Sequence, residues 1–176
     1  MQIRISGLTG AVDLLTAAQR RLGDLSPVLA VIAADTRTLI DDAFSGSHTP
    51  EGTPWAPLKP STIASRRGGS SMPLIDTSTL RSSISTTVDR SRLRFGTNVS
   101  YAAAQQLGFA KSGTLKRRSR GRKVGAEYTV TVEARPFLPV RRAGGSFRLM
   151  TVGLAGQHWR ASVEMIKRYI ATGEVT

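Results

Sequence analysis

The stretch Ser26–Ser45, "SPVLAVIAADTRTLIDDAFS", decides how this chain is read. Val28, Leu29, Ile32, Leu39, Ile40, Ala43 and Phe44 recur at the three- and four-residue spacing of a single helical face. Ser26 can serve as N-cap, and Pro27 fits the first turn, where a missing amide proton is no loss. The helix is expected to stop near Ser45-Gly46. A stripe this wide has to be covered, so the remaining sequence is read for what covers it.

Upstream, Ile3 and Ile5 alternate with polar residues, which predicts a short strand over Gln2–Ser6. Val12, Leu15, Ala18 and Leu22 then predict a first helix ending near Gly23. Downstream, residues 46–73 form a long connection rich in Gly, Pro and Ser, with one turn of helix around Ser61–Ser65. Thr77–Ile84 reads as a short helix. Ile84–Val88 and Leu93–Thr97 alternate and read as a hairpin about Asp89-Arg90-Ser91-Arg92. "YAAAQQL", Tyr101–Leu107, is helical, with Gly108 as its C-cap.

Residues 111–124 lack apolar spacing and are expected to be a mobile basic loop. Glu127–Ala134 alternates Tyr128, Val130 and Val132 as a strand does. The prolines of "ARPFLPV" confine that segment to a sheet edge or a loop. Gly144-Gly145 reads as flexible within a C-terminal extension, 141–176. There Trp159, Val163, Ile166 and Ile170 mark an amphipathic helix. The order predicts a single α+β domain over 1–176: a small antiparallel sheet packed against N-terminal and C-terminal helices, with long extended loops. Leu80, Ile84, Tyr101, Trp159 and Ile166 are assigned to its core.

A chain of 176 residues can bury such a core. It has no cysteine, which removes disulfides, thiolate nucleophiles and zinc–thiolate sites. No apolar run is long enough to cross a bilayer, and the first residues carry no apolar signal core, so a cytosolic place of synthesis is the default expectation. The net charge is +13 and sits on one side of the sequence. Residues 1–88 hold eight Lys/Arg against seven Asp/Glu, while 89–176 hold seventeen against five. Such an imbalance suits an anionic partner: nucleic acid, an acidic protein surface or anionic lipid.

Catalytic signatures are missing. His48 and His158 are the only histidines, and no nucleophile elbow accompanies them. Asp41, Asp42, His48 and Glu51 lie close in sequence but match no metal-ligand spacing. "RRGGSS" has glycines without the Lys-Ser/Thr of a phosphate loop. A glycosidase would need two facing carboxylates, and the acid-poor second half offers few. The expectation is a protein that is not an enzyme and holds no cofactor or metal.

Several segments, taken in order, resemble the phage virion morphogenesis family, the tail completion proteins of the Mu-like and S-type groups. They are "LIDDAF" at 39–44, Gly52-Thr-Pro-Trp55, Pro57-Leu58-Lys59, Ser61-Thr62, Leu74–Leu80, Ser83-Ile84, Phe95-Gly96-Thr97, Tyr101-Ala102, Gln106-Leu-Gly108 and Ala134-Arg-Pro-Phe-Leu138. Thr77-Ser78-Thr79 stands where the family usually carries Thr-Gly before its leucine, and Gln105 stands where a histidine is frequent. A Gly-Gly insertion after Val140 lengthens the usual tail.

The resemblance implies a structural virion protein assembled in the host cytoplasm. Its expected work is tail completion and head–tail joining, as a subunit of a homo-oligomeric ring, possibly a hexamer, around the DNA channel at the neck or tail end. The implied partners are copies of itself and the neck, connector and tail-tube proteins, with nonspecific contact to double-stranded DNA and no membrane. The alternative is a stand-alone, sequence-nonspecific nucleic-acid-binding protein.

On that footing "TPWAPLKPST", Thr53–Thr62, reads as a pre-stiffened docking arm, its prolines fixing torsions in advance and its tryptophan offering apolar area at low rotamer cost. Trp55, Leu58, Lys59, Arg135, Pro136 and Phe137 are the candidate subunit or partner contacts. Two of them have a second reading. Trp55 could equally plug its own subunit's core, and Phe137 is better placed as the end of the core than in a neighbour's pocket. Arg135 is left open. Lys111, Lys116, Arg117, Arg118, Arg120, Arg122 and Lys123 are the candidate contacts to DNA phosphates or to an acidic partner.

Overall fold

The structure, a computed structural model, describes residues 8–67, 70–114 and 124–175. The strand expected over Gln2–Ser6 and all of the basic segment from 115 to 123 lie outside the described residues. Twelve elements follow one another: α1 (Leu8–Gly23), α2 (Ser26–Ser45), α3 (Pro60–Ala64), α4 (Thr79–Ser82), β1 (Ser85–Asp89), β2 (Arg92–Gly96), α5 (Ala102–Leu107), β3 (Phe109–Thr114), β4 (Glu127–Val132), β5 (Val140–Ala143), β6 (Ser146–Leu149) and α6 (Gly153–Thr172).

The class is α+β, and every strand pair is antiparallel. The strands do not share one sheet, however. They form three two-stranded ribbons, β1–β2, β3–β4 and β5–β6. Isolated ribbons are marginal by themselves, so helix packing has to hold them. In α2 the buried residues Val28, Leu29, Ile32, Ala33, Thr36, Ile40, Ala43 and Phe44 form the expected stripe. That stripe serves two apolar clusters. Its first half meets Tyr169 of α6, with Val88 and Leu93 of the β1–β2 ribbon packed alongside. Its second half, Ile40, Ala43 and Phe44, meets Trp55, Leu80, Ile84, Ala102 and Phe137.

The start of α2 is capped differently from the sequence reading. Asp24, not Ser26, accepts the hydrogen bonds, from the Ser26 amide at 2.9 Å and the Ser26 hydroxyl at 2.5 Å. These bonds hold its carboxyl below its ordinary value.

Three further expectations are corrected. Residues 109–114 are a strand, β3, in register with β4 from Phe109↔Val132 to Thr114↔Glu127, so the loop begins later than its composition implied. Gly144 and Gly145 are the two-residue turn of a hairpin that composition did not reveal, both at positive φ (55° and 83°) as such a turn requires. Tyr101 is 47% exposed and so is not core. The apolar face of α1 is also open, with Val12, Leu15 and Leu22 all more than half exposed. The helix is tied down near its C-terminal end, where Arg21 Nη1 donates to the Ile170 and Ala171 carbonyls at the end of α6. Those carbonyls have no partner within their own helix, so the arginine completes α6 while anchoring α1.

Candidate functional site

The long connection after α2 is built rather than loose. Trp55 N donates to Ser47 O (2.8 Å) and Thr49 N to Thr53 O (2.7 Å), with Gly52 at φ 97° making the reversal. This folds the chain back so that Trp55 returns to the helix it just left. Its ring meets Phe44 edge-on at 5.8 Å, and Phe44 in turn lies 5.6 Å from Phe137. The indole Nε1–H donates to the Pro136 carbonyl at 3.0 Å. Trp55 is 6% exposed and Phe137 fully buried. Both therefore act inside their own subunit. Trp55 resolves to the core reading, and neither side chain is available to a partner in this conformation.

Arg135 is likewise turned inward. Its Nε and Nη2 donate to the Ala56 carbonyl at 3.2 and 3.0 Å, with Glu133 3.6 Å away. Arg66, which sequence reading passed over, gathers three carbonyls through Nη1: those of Ser70, Met72 and Ile75. A connection without a ladder must satisfy its backbone acceptors somehow, and two arginines do so here. An excess of arginine beside a proline-rich loop was the available signal.

Gln106 is the second residue missed as a functional position. It is 6% exposed, and its amide fills four bonds. Oε1 accepts from the Phe137 and Leu138 amides (2.9 and 3.0 Å), and Nε2 donates to the Leu138 and Val140 carbonyls (3.2 and 2.8 Å). One side chain thus replaces a strand for "FLPV", whose proline, Pro139, cannot donate to a regular ladder.

These ties shape a cleft of about 670 Å³. The Pro57-Leu58-Lys59 segment borders it, as do Ser78, Tyr101, Thr131 and Arg135. Leu58 is half-buried and Lys59 exposed there. Lys59, Arg66 and Arg135 stand with Asp76 and Glu133 among apolar residues such as Leu58 and Leu74, so the cleft is half apolar and of mixed charge. Beside it, Asp41 is shared by Arg37 (2.8 Å) and Arg81 (2.7 Å). Burial alone would raise the Asp41 carboxyl, but the hydrogen bonds and charges of the two arginines prevail and hold it below its ordinary value. Among the described residues no three His, Asp or Glu side chains gather as a metal site, and no helix is long and apolar enough to cross a membrane.

Of the cationic candidates, Lys111 lies exposed on β3, and Lys116, Arg117, Arg118, Arg120, Arg122 and Lys123 fall outside the described residues.

The profile of the phage virion morphogenesis family matches residues 7–148, which is most of the chain. The protein belongs to the phage virion morphogenesis family. No curated protein and no solved structure gives a match. This is a family of virion structure and assembly, which makes the chain a bacteriophage protein of virion morphogenesis. The residues that build the first cluster, from Ile40 to Phe137, all fall inside the family match. The whole of α6 lies beyond it, although its Tyr169 closes the second cluster.

Proposed function

We propose that the protein acts in tail completion and head–tail joining of a tailed phage, as a non-enzymatic ring subunit at the neck or tail end around the DNA channel. The observation that carries this reading is the family match over 7–148, with its motif residues converging on one core and one cleft. Leu58, Lys59 and the half-buried Pro136 are the contacts assigned to a neighbouring subunit or neck protein. β4 pairs only with β3 among the described residues. Thr131 to Glu133, at its far end, border the cleft, and an unpaired strand edge beside a groove suits an extended segment of a partner.

The test is electron microscopy of lysates from a phage carrying an early stop codon in this gene. Filled heads lying apart from free tails are expected, and tails of irregular length would assign the protein to termination. Intact, joined virions would overturn the proposal.

A further inference from the structure

The β5–β6 ribbon is built in a way that its own fold does not explain. Arg141 and Arg148 are direct cross-strand partners, so two cations stand side by side on one face. Like charges in that position destabilise a ribbon. Both are exposed, and neither has a hydrogen-bonding or acidic partner among the described residues. The surrounding sequence offers no relief, because Ala134–Val163 contains five arginines and no acid. Arg142 is paired with Phe147 and therefore projects from the opposite face. The tip between the strands is Gly144-Gly145, with open space where side chains would stand.

We propose that this ribbon is a sequence-nonspecific contact for double-stranded DNA, with Arg141 and Arg148 on phosphates of one groove wall and Arg142 turned toward the other. A two-stranded ribbon is of a width that the major groove admits. A glycine tip lets backbone approach closely, and guanidinium groups are suited to phosphate oxygens. The duplex carries about one charge per 1.7 Å of axis, enough to offset a paired-arginine face that no acid among the described residues neutralises. Paired cations attract phosphates whatever the base sequence, so the contact is assigned to the backbone. This site is separate in sequence from the basic segment at 115–123 and does not depend on the assembly role.

The test is fluorescence anisotropy of a labelled, mixed-sequence duplex titrated with the full-length protein at a series of salt concentrations. Two double variants are compared: Arg141→Ser with Arg148→Ser, and Arg92→Ser with Arg94→Ser, which removes the same charge from the exposed side of β2. Thermal melts verify that both are folded, as expected for exposed positions. Each phosphate contact adds about 0.9 to the slope of log affinity against log salt, so the ribbon variant should lose about 1.8. The β2 variant should retain the wild-type slope, and duplexes of different sequence should bind alike. Equal losses in both variants would reduce the effect to net charge and overturn the site, as would an unchanged slope. Wild-type protein that ignores the duplex at low salt but binds polyglutamate through these arginines would overturn it in favour of an acidic protein partner.

Discussion

Gln106 shows how much one side chain can decide. It occupies the place of a missing strand, and replacing it with leucine keeps the volume while stranding the Phe137 and Leu138 amides and the Val140 carbonyl; the Leu138 carbonyl still accepts from Val140 N. Each buried group left unpaired costs about 1–3 kcal/mol, so Gln106→Leu should lower stability by several times that of an ordinary surface change. Urea unfolding checks this, and a midpoint close to wild type would mean that water replaces the amide. Ser78 makes the opposite case. Its φ is 58°, a left-handed conformation that a β-carbon resists, and it sits in Thr77-Ser78-Thr79, where the sequence departs from the Thr-Gly that the resemblance implies. Ser78→Gly should therefore stabilise by about 0.5 kcal/mol or more, read as a rise in melting temperature. The departure was visible in the sequence, but its cost was not, because only the backbone conformation turns a serine into a strained serine.

Among the elements, α2 was legible and the ribbons only in part. An apolar stripe on a helix is written every three or four residues and survives whatever packs on it. β1–β2 and β4 declared themselves by alternation, whereas β3, "FAKSGT", is exposed along nearly all its length and has no apolar face to alternate. It is a strand because β4 pairs with it. The start of α6 depends on a close approach that sequence cannot announce. Gly153 has φ 58°, and a β-carbon there would collide with the Glu51 carbonyl, next to the Pro50 carbonyl that accepts from Ala155 N at 2.8 Å. Gly153→Ala should cost on the order of 2 kcal/mol or more, with loss of helix signal concentrated in α6 by hydrogen exchange. Uniform protection in the variant would show that the helix can start one residue later.

Across the whole molecule, α2 and α6 are joined by a buried polar contact with a pH dependence of known sign. Thr36 donates its one hydroxyl proton to the Ile32 carbonyl (2.7 Å), so its oxygen accepts from His158 Nε2–H at 3.0 Å. Burial lowers the His158 pKa from 6.5, against the opposing pull of Asp35. The unfolded chain then binds the proton more readily than the folded one. Stability is fully present above about pH 6.5 and falls as pH drops through the lowered folded value. Asp41 and Asp24 contribute in the same direction but lower, below about 3.8. His158→Gln should remove the upper step and leave the acid one, seen in urea midpoints at roughly pH 7.5 and 5.5. An unaltered upper step would assign it to another group.

The sequence alone determined the helix at the centre, the α+β class, the absence of cysteine chemistry, the charge imbalance and the order of motifs that marks the family. These follow from local periodicity and composition, which are written along the chain. Tertiary structure alone decided that Trp55 and Phe137 face inward, that Arg66, Gln106 and Arg135 serve as backbone partners, that α1 keeps an open apolar face, and that two arginines meet across the β5–β6 ribbon. Each of these depends on which residues distant in sequence come within a few ångströms of one another. A side chain's chemistry is fixed by its type, but what it does is fixed by the partner that the fold brings to it.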